Sequence, residues 1–181
     1  MFITILYAAL STLRTRDVKE IIAYSSVGHA AIYFMGVFGN NIAGLNGAIL
    51  LGLSHGFVSS ALFVLVGGVL YDRTGTRDIG YYRGLAQNMP VFSTTFFIFT
   101  LANCGTPLTL NFVGEYLCLY GSFERNVVMG ATNALSIVLS ATYGMYVFNK
   151  LSFAGSLSPH LEKGITDLNS CLLYTSPSPR D

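Results

Sequence analysis

The chain has 181 residues, a formal net charge of +1, and only 10% charged against 52% hydrophobic residues. A soluble domain carries about 25% charged residues, so this composition argues against one, and the near-neutral charge argues against a nucleic-acid partner. The three cysteines, Cys104, Cys118 and Cys171, show neither a C-x-x-C pair nor metal-ligand spacing, so no disulfide framework or zinc site is implied.

The apolar residues come in long runs, which predicts an all-α integral membrane protein of about five transmembrane helices. Met1–Leu13 has no basic leader or small-residue cleavage site. It reads as the end of a transmembrane helix, a partial crossing expected of a chain truncated at its start. The second segment covers about Val18–Phe38, with Asp17 as a cap and Glu20 in the position of a capping-box acid. A tight Gly39-Asn40-Asn41 turn leads into Ile42–Leu70. A polar loop, Tyr71–Met89, precedes a fourth segment, Val91–Phe123, opened by Pro90 at a favoured first helical position. After a Gly121–Asn126 turn the fifth segment covers Val127–Phe148, and Glu124 with Arg125 reads as a solvated loop pair. Tryptophan is absent, so the 11 tyrosines supply the interfacial belt.

Threading the segments back and forth puts Arg14, Arg16, Lys19, Arg73, Arg77, Arg83, Lys150 and Lys163 on one side and only Arg125 on the other. This positive-inside bias marks the first side as cytoplasm or organelle matrix. Residues 1–169 read as the transmembrane domain. Residues 170–181, which include Arg180, form a Ser/Pro-rich tail without membrane logic. The tail reads either as a non-native scar or as a disordered terminus.

The fourth segment is longer than the about 20 residues of one straight crossing. Asn103-Cys104-Gly105-Thr106-Pro107 interrupts it. Pro107 lacks a donor and clashes with the preceding turn, and Gly105 permits a bend, so two half-helices with irregular backbone between them are predicted. Such backbone survives at membrane depth only where protein buries it or a wet cavity lines it. Glu115 follows the break, and an intramembrane carboxylate is by default an ion or proton site. The bland alternative is a helix-end carboxylate near Gly121.

His29 lies near the middle of the second segment, with Ser25 and Tyr33 one turn to either side on the same face. Hydroxyls around an imidazole suit a water-assisted proton relay, because histidine changes charge near neutral pH. The alternative is a structural histidine bonded to a neighbouring helix. His55 is placed similarly in the third segment, with Ser59 close by. Gly44, Ala48, Gly52, Gly56 and Ser60 recur at every fourth position and read as a close-packing ridge. Ser136, Ser140 and Gly144 repeat that spacing, again as packing. No P-loop, dinucleotide fingerprint or nucleophile elbow is present.

Three blocks carry a family resemblance. Asp17-Val18-Lys19-Glu20-Ile21-Ile22-Ala23-Tyr24-Ser25-Ser26-Val27-Gly28-His29 is the first and Leu53-Ser54-His55-Gly56-Phe57-Val58-Ser59-Ser60 the second. The third runs from Gly105-Thr106-Pro107 through Asn111-Phe112-Val113-Gly114-Glu115. In this order and spacing they resemble the antiporter-like subunits of respiratory complex I over about residues 1–155. The resemblance implies a subunit of two inverted five-helix repeats, with this chain as the second repeat and one helix discontinuous. It implies that His29, His55 and Glu115 lie on a proton path. Ser25, Tyr33 and Ser59 would support that path, and Gly105 and Pro107 would form its hinge. It places the chain in the mitochondrial inner membrane, multi-pass, with its basic loops in the matrix and other complex I membrane-arm subunits as partners. It assigns no cofactor to this chain. NADH, FMN, iron–sulfur clusters and ubiquinone would be bound elsewhere in the complex. The family's glutamate and two lysines of the preceding repeat are not in this sequence, so this fragment alone should not move protons. A multi-subunit cation/proton antiporter shares the same motifs, and a purely structural helix bundle is the rival of another class.

Overall fold

A computed structural model describes residues 2–155 and 167–168. Lys163, Cys171, the Ser170–Asp181 tail and the proposed boundary at residue 169 lie outside those residues. Among the described residues the chain is helical: α1 (Phe2–Arg14), α2 (Val18–Phe38), α3 (Ile42–Phe63), a π-helical stretch (Val64–Leu70), α4 (Tyr71–Thr74), α5 (Leu85–Asn88), α6 (Pro90–Asn103), α7 (Leu110–Arg125) and α8 (Val127–Phe153).

Among the described residues, three helices are long and apolar enough to cross a membrane: Val18–Phe38, Ile42–Thr74 and Val127–Phe153. About five were expected, and the other two predicted segments form shorter helices. The first segment forms a helix of only 13 residues. The fourth is divided by its break into α6, of 14 residues, and α7, of 16. Neither half reaches the about 20 residues that a straight crossing needs. The third span is longer than predicted because the helix continues without interruption through the π stretch into Thr74.

Local chemistry sets the helix ends. Asn40 takes a left-handed φ of 54° in the predicted turn before α3, a conformation Asn tolerates better than most residues. The Thr109 hydroxyl caps α7 by accepting from Phe112 N at 3.3 Å, and the Asn126 amide oxygen caps α8 from Val128 N at 2.9 Å. The predicted capping box at Asp17 is not formed, since no side-chain cap bond is made there. Instead, the backbone at the start of α2 pairs with the polar loop. Val18 N donates to Arg77 O at 3.1 Å and Ile79 N to Arg16 O at 2.9 Å. The two basic loops therefore meet at one end of the bundle. Glu124 is also placed differently from the expectation: it accepts from the Asn41 amide rather than pairing with Arg125.

The largest core cluster lies at that basic end, where Tyr82, Leu85, Met89, Phe92 and Leu151 are almost fully buried. Burying such a side chain is worth about 1.5–3 kcal/mol. This is why the loop between α4 and α5 is ordered: the Tyr82 ring is inserted, and its hydroxyl bonds to Thr74 and to the Thr76 carbonyl. The outer surface is apolar, with Ile42, Phe57, Ile98 and Val127 each well exposed, as expected of helices whose surroundings are lipid or other membrane helices.

α7 lies in the middle, packed on α2, α3 and α8. It approaches α3 through glycines. A Cβ at Gly47 would stand 2.7 Å from Cys118 N, and one at Gly114 would stand 2.8 Å from the Leu51 backbone. Only part of the predicted ridge takes part in this contact. Gly44 meets Gly36 and Gly121, whereas Gly52 and Gly56 have nothing within 4 Å of an added Cβ. On α8, Gly144 is a packing position as predicted, because a Cβ there would meet the Cys104 sulfur at 2.5 Å.

Candidate functional site

The break between α6 and α7 is the irregular backbone predicted from Gly105 and Pro107, and several of its backbone groups are hydrogen-bonded locally. Cys104 N donates to Thr100 O at 2.9 Å, Thr106 N to Leu101 O at 3.2 Å and Gly105 N to Ala102 O at 3.2 Å. The Asn111 amide reaches back across the break to the Ala102 carbonyl at 2.9 Å and also accepts from the Ser54 hydroxyl of α3. The carbonyls released where α6 ends are thus bonded within the protein, which is what a break at membrane depth requires.

Gly105 has φ +65°, a region open to glycine and costly for other residues. Its missing side chain also makes room. A Cβ at this position would overlap the Glu115 carboxylate, with the carboxyl carbon 2.9 Å away. Glu115, one turn past Asn111, is therefore directed back at the turn that splits the helix. It is 2% exposed, which excludes the helix-end reading.

Facing it from α2 is His29, 1% exposed, with Nδ1 3.2 Å from Glu115 Oε1. The two atoms are close but not aligned as a hydrogen bond, and both keep unmatched polar capacity among the described residues. His55, from α3, lies against His29 with ring centroids 4.7 Å apart and planes tilted by 39°. Both of its ring nitrogens are buried without a hydrogen-bond partner among the described residues. Three helices thus bring two imidazoles and one carboxylate into contact, in the order His55, His29, Glu115. No buried lysine or arginine accompanies them among the described residues. No group of three or more His, Cys, Asp or Glu side chains arranged to hold a metal ion occurs among those residues. Each member carries titratable atoms: His29 Nδ1 faces Glu115 Oε1, and His55 meets His29 through its ring.

The supporting residues divide. Ser25 is buried, donates to Ile22 O at 2.7 Å and receives a long 3.5 Å contact from the Asn103 amide at the end of α6. Tyr33 is partly buried, lies tilted against the Phe34 ring and packs on the Ile32–Leu51 cluster. Ser59 is directed to its own helix, donating to Gly56 O. Several buried polar residues were given no role of their own from the sequence: Asn103, Asn111 and the Asn133–Ser122 pair, whose amide donates at 2.5 Å. Asparagine in an apolar helix was the available signal.

An apolar helix bundle with a helix break beside a buried carboxylate and two buried histidines resembles the antiporter-like class of membrane subunits. Residues 1–140 match the family model described as NADH:quinone oxidoreductase/Mrp antiporter, TM, and the chain belongs to that family. It is 52% identical over 159 residues to NADH-ubiquinone oxidoreductase chain 4 of Mycosarcoma maydis, covering 88% of this chain and 33% of that protein. The chain thus spans about one third of the length of the curated relatives it matches. Respiratory complex I of Thermus thermophilus contains a chain of similar structure, with a TM-score of 0.84 and 34% identity over 95% of this chain and 36% of the other. The Mrp complex of a Dietzia species has the same fold, with a TM-score of 0.77 at 21% identity over 98% of this chain and 34% of the other.

Proposed function

We propose that this chain is the second inverted repeat of a proton-translocating membrane-arm subunit of NADH:ubiquinone oxidoreductase. The observation that carries this reading is the buried His55–His29–Glu115 contact at the helix break. Intramembrane ionisable groups at discontinuous helices are the parts from which ion-coupled transporters are built. The 52% identity to a chain 4 subunit supports complex I as the host.

In this reading residues 1–169 form the transmembrane domain and residues 170–181 contribute nothing to transport. The half-helices α6 and α7 together make one crossing and α1 belongs to another, so that this chain contributes five crossings. The basic loops face the matrix of the mitochondrial inner membrane, following the positive-inside rule. Redox chemistry belongs to other subunits, which hold NADH, FMN, iron–sulfur clusters and ubiquinone. A change of charge or conformation passed along the membrane arm alters the proton occupancy of the cluster. His55 and His29 pass the proton, Glu115 loads and releases it, and Gly105 and Pro107 hold the break that shapes its pocket. The glutamate and lysines of the preceding repeat complete the path.

The test is Glu115→Gln in the full-length subunit within its assembled complex. Proton translocation is expected to fail while the complex assembles normally. Unchanged translocation would instead favour a structural bundle. The shared family supports a second reading, a subunit of a multi-subunit cation/proton antiporter. Sodium-dependent transport without NADH oxidation would mark that case.

A further inference from the structure

Asn111, at the second position of α7, is 1% exposed, and its amide joins three elements. Its Oδ1 accepts from the Ser54 hydroxyl of α3, and its Nδ2 donates to the Ala102 carbonyl near the end of α6 at 2.9 Å. Exchanging the amide nitrogen and oxygen would set one carbonyl oxygen against another, so the orientation is determined by its partners. The Ala102 carbonyl also accepts from Gly105 N at 3.2 Å. One carbonyl therefore holds both the Asn111 amide and the left-handed turn against which the Glu115 carboxylate lies.

Both ends of this clip adjoin the ionisable cluster. Ser54 directly precedes His55 in α3. Asn111 and Glu115 are four residues apart on α7 and share one face. The rest of the α3–α7 contact is made through glycines, with Gly47 against Cys118 N and Gly114 against the Leu51 backbone. Small residues let two backbones approach closely, but smooth surfaces hold weakly against sliding along the helix axes. A hydrogen bond is directional and short-ranged, so the Ser54–Asn111 bond fixes the register that glycine packing leaves soft.

We propose that Asn111 is a positioning residue for proton transfer: its amide locks α3 to the α6–α7 break and so sets the approach of His55 and His29 to Glu115. Asn111 itself neither titrates nor carries a proton. Without its two bonds, α3 and α7 shift against each other, and His55 and Glu115 move with the helices that bear them. Proton transfer needs heavy atoms within about 2.6–3.2 Å. His29 Nδ1 and Glu115 Oε1 stand at 3.2 Å, the far edge of that range, and a displacement of about 1 Å can cost about 100-fold in rate. This inference rests on the proton-translocating reading above.

The experiment measures proton translocation per assembled complex for variants of the full-length subunit, paired with cryo-EM maps of the same complexes. Asn111→Leu removes both bonds and should slow translocation about ten-fold or more, with a longer His29–Glu115 or His55–His29 separation in its map. Ser54→Ala removes one bond and should slow it about three-fold. Ser54→Thr, which keeps the hydroxyl, should recover most of the rate, and a loss of assembly alone would not follow the hydroxyl in this way. Because the two residues act through one bond, adding Ser54→Ala to Asn111→Leu should slow translocation no further. Wild-type translocation in Asn111→Leu or, where that variant fails to assemble, in Ser54→Ala would overturn the inference. So would a slow variant whose cluster distances are unchanged, or Ser54→Thr as slow as Ser54→Ala. Loss of translocation in Glu115→Gln together with full rates in Asn111→Leu and Ser54→Ala would leave the proposed function standing and refute only the positioning role. Full translocation in Glu115→Gln would refute the function itself.

Discussion

The Glu115 carboxylate occupies the volume that a side chain at Gly105 would need. They are ten positions apart in the chain, yet the left-handed turn at Gly105 and the carboxylate on α7 form one unit, and His29 closes it from α2 at 3.2 Å.

Gly105→Ala should therefore be among the most damaging small substitutions in the chain. Alanine at φ +65° is strained by roughly 1 kcal/mol, and its methyl group overlaps the carboxylate in addition. We expect destabilisation of about 2–3 kcal/mol and a loss of proton translocation comparable to that of Glu115→Gln. Thermal melting and translocation by the assembled full-length subunit measure the two effects. Near-wild-type values for both would mean that the break does not fix the carboxylate.

The His29–Glu115 contact should appear as non-additivity. His29→Asn and Glu115→Gln each leave a buried partner facing an altered group, whereas the double variant removes both members at once. Residues in direct contact commonly couple by about 0.5–3 kcal/mol. A double-mutant cycle on thermal stability should fall within that range. Additive effects would show that the two side chains do not interact in the folded protein.

The sequence carried much of this centre because glycine, proline and ionisable residues are rare within apolar helices and each has a narrow set of uses. Pro107 and Gly105 located the break, and His29, His55 and Glu115 stood out as polar groups at depth. Facing was not legible. A helix that is apolar all round has no clear inward stripe, so Tyr33 and Ser59 were grouped with His29 and His55, whereas Tyr33 packs on the Ile32–Leu51 cluster and Ser59 bonds its own helix. For the same reason the four-residue glycine spacing was extended to Gly52 and Gly56, which face outward, while Gly47 and Gly114 carry the contact with α7. The loop between α4 and α5 looked merely polar. Its order comes from the distant partners of Tyr82 and Ile79, which no local pattern encodes.

Asp167 closes the other end of α6. Its carboxylate accepts from Val91 N at 2.9 Å and from Phe92 N at 3.2 Å, while Ser93 N bonds to Met89 O and Pro90 has no N–H to satisfy. The first turn of the half-helix therefore has no unmatched donor, and the cap comes from beyond α8. Asp167→Ala should cost about 1 kcal/mol, whereas Asp167→Asn, a good cap without the charge, should cost less. Hydrogen exchange at Val91 and Phe92 reads this directly: faster exchange is expected in the alanine variant, and an unchanged rate would mean that the cap is dispensable.

The glycines at the α3–α7 contact, Gly47 of α3 and Gly114 of α7, offer a contrast with Gly52 and Gly56 of α3. Gly114→Ala or Gly47→Ala places a methyl group against backbone of the opposing helix, at 2.8 Å from Leu51 and 2.7 Å from Cys118 N respectively. Backbone cannot rotate away as a side chain can, so α3 and α7 must separate and the Ser54–Asn111 bond across them must stretch or break. Overpacking of this kind costs about 1–3 kcal/mol. Gly52→Ala and Gly56→Ala meet nothing within 4 Å, so the higher helix propensity of alanine should make them neutral or stabilising by up to about 1 kcal/mol. Thermal melts of the four variants in the intact subunit should separate into these two pairs. If Gly52→Ala and Gly56→Ala prove as damaging as the other two, the outward face of α3 is itself covered by another helix of the full-length protein.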